Sequence, residues 1–112
     1  MRISVFGLGY VGCVTAACMA RDGHHVLGLD VDRHKIELVG SGRAPVIEPG
    51  LDEIVAAAVK DGTLQVAEDS HLAIHATDVS MICVGTPRSK TGSLDLAQME
   101  NACRDIGRAL AD

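Results

Sequence analysis

The sequence predicts an α/β fold: a parallel sheet carrying helices on both faces, with about four strands in view. Three observations predict it. Short apolar runs alternate with longer stretches of helical periodicity. The apolar residues are mostly Ala, Val, Leu and Ile, with one Tyr, one Phe and no Trp, which suits helices lying close on a sheet. A glycine-rich turn joins the first apolar run to the first helical stretch. At 112 residues the chain is one domain at most.

Ile3 to Gly7 reads as a strand apolar on both faces, as a buried parallel strand is. The glycine-rich turn leads to a helix from about Tyr10 to Arg21, which Asp22 and Gly23 end. Val26 to Asp30 is the second strand. Asp32 then caps a helix from Arg33 to about Ser41, with Ile36 and Val39 inward. Residues 44–50 form a loop, and Pro49 suits the first turn of a helix running to about Lys60. Asp52 and Glu53 sit at its positive end and Gly62 lies just past its close.

Leu64 to Ala67 is the third strand. Asp69 or Ser70 caps a short helix to about Ala76, and Val79 to Val84 is a strongly apolar fourth strand. A polar loop, Gly85 to Leu94, precedes a last helix from about Asp95. Leu96, Met99, Cys103, Ile106 and Leu110 form its expected packing stripe. The order βαβααβαβα, wound right-handed, gives a doubly wound sheet. A full dinucleotide fold usually has about six strands, so this one reads as truncated, the first part of a longer protein.

Composition excludes several classes. The net charge is −5, with no basic run and no aromatic interleaving, so nucleic acid is not an expected partner. No apolar run is long enough for a bilayer, and Gly7, Gly9 and Gly12 interrupt the one stretch that imitates a signal peptide. A cytoplasmic chain with no membrane partner is expected. Cys13, Cys18, Cys83 and Cys103 each fall in an apolar stretch, and so read as free, buried thiols. His71 and His75 stand four apart on a short helix, but no third ligand is placed by sequence, so no metal is expected.

Gly7-Leu8-Gly9-Tyr10-Val11-Gly12 carries the chemistry. It leaves a strand and opens a helix, the context a dinucleotide fingerprint requires. Gly7 permits the tight turn, Gly9 lets the backbone approach a pyrophosphate, and Gly12 lets the helix pack on the strand. The helix start presents N–H groups and the positive end of its dipole. A glycine turn with no ligand is the bland alternative.

Asp30 ends the second strand about 18 residues past Gly12, near the expected ~20. A carboxylate there accepts the adenosine ribose hydroxyls and repels a 2′-phosphate, which points to NAD rather than NADP. Asp30 could instead cap the next helix, but Asp32 can do that alone. Arg33 and Lys35, nearby, leave the phosphate question open. Val84-Gly85-Thr86-Pro87 leaves strand four, which in the order 3-2-1-4 flanks the same crevice. Pro87 keeps Thr86 extended, presenting its hydroxyl and N–H to the cofactor. Glu48-Pro49-Gly50-Leu51 reads mainly as a helix start, and Cys83 as a core residue. The fold is thus a truncated Rossmann type.

With these residues in place the chain resembles the UDP-glucose/GDP-mannose dehydrogenase family. FGLGYVG (Phe6 to Gly12), GLDVD with Lys35 and Ile36 after it, EPGL, and ICVGTP followed by Gly92, Leu94, Asp95 and Leu96 carry the resemblance. They occur in family order over nearly the whole chain. The resemblance implies oxidation of the C6 hydroxyl of a nucleotide-linked hexose to a carboxylate with two NAD. In the family a cysteine further along the chain forms a thiohemiacetal and then a thioester, assisted by Lys, Asn and Asp residues also further along. No catalytic residue carries over to this chain, which alone is expected to be inactive.

Cofactor contacts do carry over: Tyr10, Val11, Asp30, Lys35 and Thr86. Residues 44–51 and 88–92 lean to the GDP-mannose members that serve alginate-type exopolysaccharide synthesis. UDP-glucose members often hold an aromatic where Ile47 stands, and UDP-N-acetylhexosamine members are a further alternative. The parent is expected to be a homo-oligomer, dimerising largely through a helix beyond these residues. Two other readings compete: a non-catalytic NAD-binding regulatory module, and a dehydrogenase of β-hydroxy acids. EPGL and ICVGTP in this order argue against both.

Overall fold

A computed structural model describes residues 1–111. The elements run β1 (Arg2–Phe6), α1 (Tyr10–Arg21), β2 (His25–Leu29), α2 (Arg33–Gly40), α3 (Leu51–Asp61), β3 (Leu64–Val66), α4 (Ser70–Ala76), β4 (Val79–Ile82) and α5 (Ala97–Ala111). Four parallel strands stand in the order β3-β2-β1-β4, as expected. Phe6 is level with Leu29 on one side and with Ile82 on the other. The carboxyl ends of β1, β2 and β4 therefore finish together, and chain order reverses at β1.

Two apolar layers flank the sheet. Ile3 and Val5 of β1 face a core built with Cys13, Ala16, Ala17 and Ala20 of α1, Ile36 and Val39 of α2, and Leu51, Val55 and Ala58 of α3. Phe6 and Leu29 face the other, thinner layer, with Ala73 and Ile74 of α4 and Ala102 and Ala109 of α5. The alternation along β1 is the period-2 rule.

The helix signals read from sequence are largely met. Asp32 accepts the N–H of His34 at 2.9 Å, and Asp69 that of His71 at 2.9 Å, so the two caps are Asp residues. Gly62 closes α3 at φ +79°, the left-handed conformation of a helix C-terminus. Gly50, also left-handed at φ +82°, precedes α3, and so Pro49 lies before the helix rather than in its first turn. β3 and β4 are shorter than their apolar runs. β4 stops at Ile82 because the chain then turns to form the cleft wall described below.

Two further expectations are corrected. β1 is not wholly apolar, since Ser4 is fully buried. Its hydroxyl meets that of Ser80 at 2.7 Å and receives that of Thr77 at 3.2 Å, so the buried polar atom is satisfied across β1, β4 and the end of α4. The packing stripe of α5 is met only in part, with Met99 half-buried and Ile106 half-buried against the second layer. Ala102 and Ala109 are buried, whereas Leu96, Cys103 and Leu110 are exposed. Small residues let α5 approach α4 closely, and the His75 imidazole meets the Ala109 carbonyl at 2.9 Å across that contact. Large apolar side chains then fall at the margin of the contact.

The cysteines differ accordingly. Burial pushes the Cys13 thiol up to about 11, with the Asp52 charge adding to it, and burial also raises Cys83. Cys103 lies exposed on α5, contrary to the expectation of four buried thiols. A disulfide-exchange reagent is expected to label Cys103 first and Cys13 last in the folded chain. The fast phase should vanish in Cys103→Ser; a fast phase that survives this change means another thiol is open.

Candidate functional site

A cleft of about 1100 Å³ opens at the carboxyl ends of β1, β2 and β4. Its walls include Gly7, Gly9, Tyr10 and Val11 from the first loop and helix, Asp30, Asp32 and Lys35 from the end of β2 and α2, and Gly85, Thr86 and Pro87 after β4. The structure thus brings together seven of the eight residues singled out as cofactor contacts. The eighth, Gly12, is buried beneath the loop.

The three glycines answer three different constraints. Gly7 has φ +104°, and a Cβ there would stand 2.6 Å from the Cys83 carbonyl oxygen. A Cβ on Gly12 would collide with the Gly7 carbonyl. Gly9 has nothing within 4 Å of where its Cβ would lie, yet it lines the cleft. Gly7 and Gly12 are therefore glycine for the protein's own packing. The open space before Gly9 is the room a phosphate needs beside the backbone. Gly9 also offers no side chain to cap α1, and the first residues of that helix, Tyr10 and Val11, line the cleft, where a helix start favours an anion. Leu8, fully buried between them, fills the space over Gly28 of β2.

Asp30 does more than end β2. One carboxylate oxygen accepts the Leu8 N–H at 2.7 Å and the other the Asp32 N–H at 2.8 Å. The side chain is thereby held at the cleft wall and ties the glycine loop to the end of β2. Each oxygen keeps a lone pair for another donor. Asp32 caps α2 independently, as the sequence suggested.

The neighbouring cations are accounted for. Arg33 reaches Glu68 at 3.2 Å, and Lys35 lines the cleft half-buried. Asp30, Asp32 and Glu68 make this end acidic, a poor place for a 2′-phosphate. Thr86 stands half-buried on the opposite wall. Its loop closes on itself through the Asp95 N–H to the Pro87 carbonyl at 2.6 Å, and through the pairing of Arg88 with Leu94.

Sequence reasoning missed part of the wall. Glu68, between β3 and α4, and Ser70, the first residue of α4, also line it, and no local signal marks either for a ligand. Gln98, Asn101 and Asp105 of α5 also face the cleft. Their i, i+3, i+7 spacing was a legible signal: a polar stripe on one helix face. Tyr10 also has an unforeseen partner, since its hydroxyl donates to the Glu48 carboxylate at 3.0 Å. Among the described residues no group of three His, Cys, Asp or Glu could hold a metal, and no helix is long and apolar enough to cross a membrane.

The sequence and the fold are shared with known proteins. The sequence profile of the UDP-glucose/GDP-mannose dehydrogenase family, NAD binding domain, matches residues 1–112. GDP-mannose 6-dehydrogenase of Pseudomonas syringae pv. syringae is 50% identical over 112 residues, which are 100% of this chain and 26% of that protein. UDP-glucose 6-dehydrogenase of Rhizobium meliloti is 42% identical over 111 residues, 98% of this chain and 25% of that protein. The crystal structure of a ternary complex of GDP-mannose dehydrogenase from Pseudomonas aeruginosa superposes with a TM-score of 0.96 at 48% identity, covering 98% of this chain and 25% of that one. The chain spans about a quarter of the length of these relatives. On sequence and fold, this chain belongs to the UDP-glucose/GDP-mannose dehydrogenase family, as its NAD binding domain.

Proposed function

We propose that residues 1–112 are the N-terminal cofactor-binding part of a nucleotide-sugar 6-dehydrogenase, whose central helix and sugar-nucleotide domain lie beyond them. The observation that carries this is the glycine loop. Gly7 and Gly12 are locked by their own surroundings while Gly9 faces open space at the start of α1. Gly9 and the first N–H groups of α1 would hold the pyrophosphate of NAD, Asp30 and Lys35 the adenosine ribose, and Thr86 the far half of the cofactor. NAD supplies a hydride acceptor, and this chain's residues bind and orient it. Gly7, Tyr10, Val11 and Gly12 shape the loop that does so.

The substrate of the parent is GDP-mannose in this reading, oxidised at C6 to a carboxylate for an exopolysaccharide of the alginate type. The 50% identity to a GDP-mannose 6-dehydrogenase against 42% to a UDP-glucose 6-dehydrogenase supports that order. UDP-glucose or a UDP-N-acetylhexosamine is the alternative. The parent acts as a cytoplasmic homo-oligomer without nucleic acid or membrane partners. No cleft residue reads as the nucleophile. Cys83, the one cysteine in the wall, is held protonated by burial and packs beside Gly12. Turnover by this chain alone is therefore not expected.

Calorimetric titration tests the cofactor reading. Saturable binding of NAD and much weaker binding of NADP are expected. Failure of both this chain and its full-length parent to bind either nucleotide, with the fold intact by circular dichroism, overturns it.

A further inference from the structure

The loop of residues 41–50 carries one side chain into contact with the glycine-rich turn. It is anchored at both ends. The Ala44 N–H donates to Asp52 at 2.8 Å, the Leu51 N–H donates to the Glu48 carbonyl at 3.1 Å, and Ala44 and Val46 pack on the core. Between these anchors Ile47 stands fully exposed, and Glu48 turns back to receive the Tyr10 hydroxyl at 3.0 Å. Tyr10 is the first residue of α1 and lines the cleft, whereas Glu48 does not. The two are 38 residues apart in sequence, so the contact joins elements that nothing local would bring together.

We propose that Glu48 is a positioning residue for the cofactor: by accepting the Tyr10 hydroxyl it fixes Tyr10 as a wall of the cleft and steadies the first turn of α1, whose N–H groups face the pyrophosphate. This deepens the NAD reading above and rests on it. Three physical points support it. An exposed tyrosine has two free torsions, and a bond to a carboxylate removes that freedom before the cofactor arrives, which lowers the ordering cost on binding. A phenol-to-carboxylate bond is charge-assisted and stronger than a neutral one. The same bond, with the nearby negative charge, raises Tyr10 above the ordinary phenol value. A carboxylate close to an anionic cofactor is otherwise unfavourable, and its engagement with Tyr10 turns it away from the phosphates.

The chain holds one tyrosine and no tryptophan, so ultraviolet ionisation and intrinsic emission report Tyr10 alone. In the cofactor-free chain, Tyr10 is expected to ionise above a free phenol, and Glu48→Ala to return it to the ordinary value. NAD affinity is expected to fall about threefold to tenfold in Glu48→Ala and in Tyr10→Phe. The double variant should be no weaker than either single one. Glu48→Gln, which keeps an oxygen acceptor, should recover most of the loss.

Both residues are exposed, so the fold survives these changes. Two results overturn the proposal. One is a Tyr10 ionisation indifferent to Glu48; the other is single-variant losses that add in the double variant. If NAD binds the native chain and all variants equally, the positioning role falls and the cofactor reading stands. If the folded native chain and its parent bind no NAD, the cofactor reading falls and takes the positioning role with it.

Discussion

Gly12→Ala is expected to destabilise the folded chain by about 3 kcal/mol or more, toward the upper end of overpacking costs. The reason is local and rigid. The added methyl would overlap the Gly7 carbonyl, which is backbone and has no rotamer to escape into. Gly7 has little room to withdraw, because the backbone of Cys83 and Val84 stands within 2.8 Å of where a Cβ on Gly7 would lie. Its N–H is also bonded to the Leu29 carbonyl at 2.8 Å. Helix α1 must therefore shift off the sheet, and it carries Cys13, Ala16, Ala17 and Ala20 of the larger core.

Against a total of about 5–15 kcal/mol for a domain, the loss is a large fraction. Urea denaturation should show the midpoint falling by about 1–3 M. Gly9→Ala is the control. Its methyl meets nothing and its φ of −75° suits alanine, so stability should hold while NAD binding weakens. Equal stability of Gly12→Ala and the native chain would mean that α1 does not press on the turn as described.

This contrast shows what the sequence could and could not convey. The spacing of three glycines after a strand named the turn and its ligand class, because strand, turn and helix are all local. It could not rank the glycines. The difference between Gly12, locked on Gly7, and Gly9, open to the cleft, depends on how close α1 comes to β1 and β4. The four-strand order and the caps at Asp32 and Asp69 were legible for the same reason: each is set within a few residues or by a handedness rule.

α5 was legible as a helix, its packing stripe only in part. Leu96, Cys103 and Leu110 make the heavier stripe, yet Ala102 and Ala109 are the buried residues, since what decides is the distance to Ala73 and Ile74 of α4. The Glu48 contact with Tyr10 and that of Glu68 with Arg33 were invisible for the parallel reason that both cross between elements. Asp30 was half legible: its place at the end of a strand put it in the cleft wall, but its hold on the Leu8 N–H did not show in the sequence.

That second bond makes Asp30 the other position of large effect. Asp30→Ala is expected to weaken NAD binding about 100-fold, since two ribose hydroxyls lose an ionised acceptor at about 1.5 kcal/mol each. It should also lower the stability of the cofactor-free chain by about 1–3 kcal/mol, because the Leu8 N–H is left in a buried turn without its partner. A residue that only met the ligand would show the first effect without the second. Asp30→Asn separates the charge from the bonds, as one amide oxygen can still accept the Leu8 N–H while the repulsion of a 2′-phosphate is gone. Its stability should lie between native and Asp30→Ala, and its preference for NAD over NADP should narrow. Should the preference survive in Asp30→Asn, the discrimination belongs to the remaining acids of that wall, Asp32 and Glu68. Because Glu68 also engages Arg33, Glu68→Gln added to Asp30→Asn should then release a cation toward the phosphate and bring the two nucleotides closer in affinity.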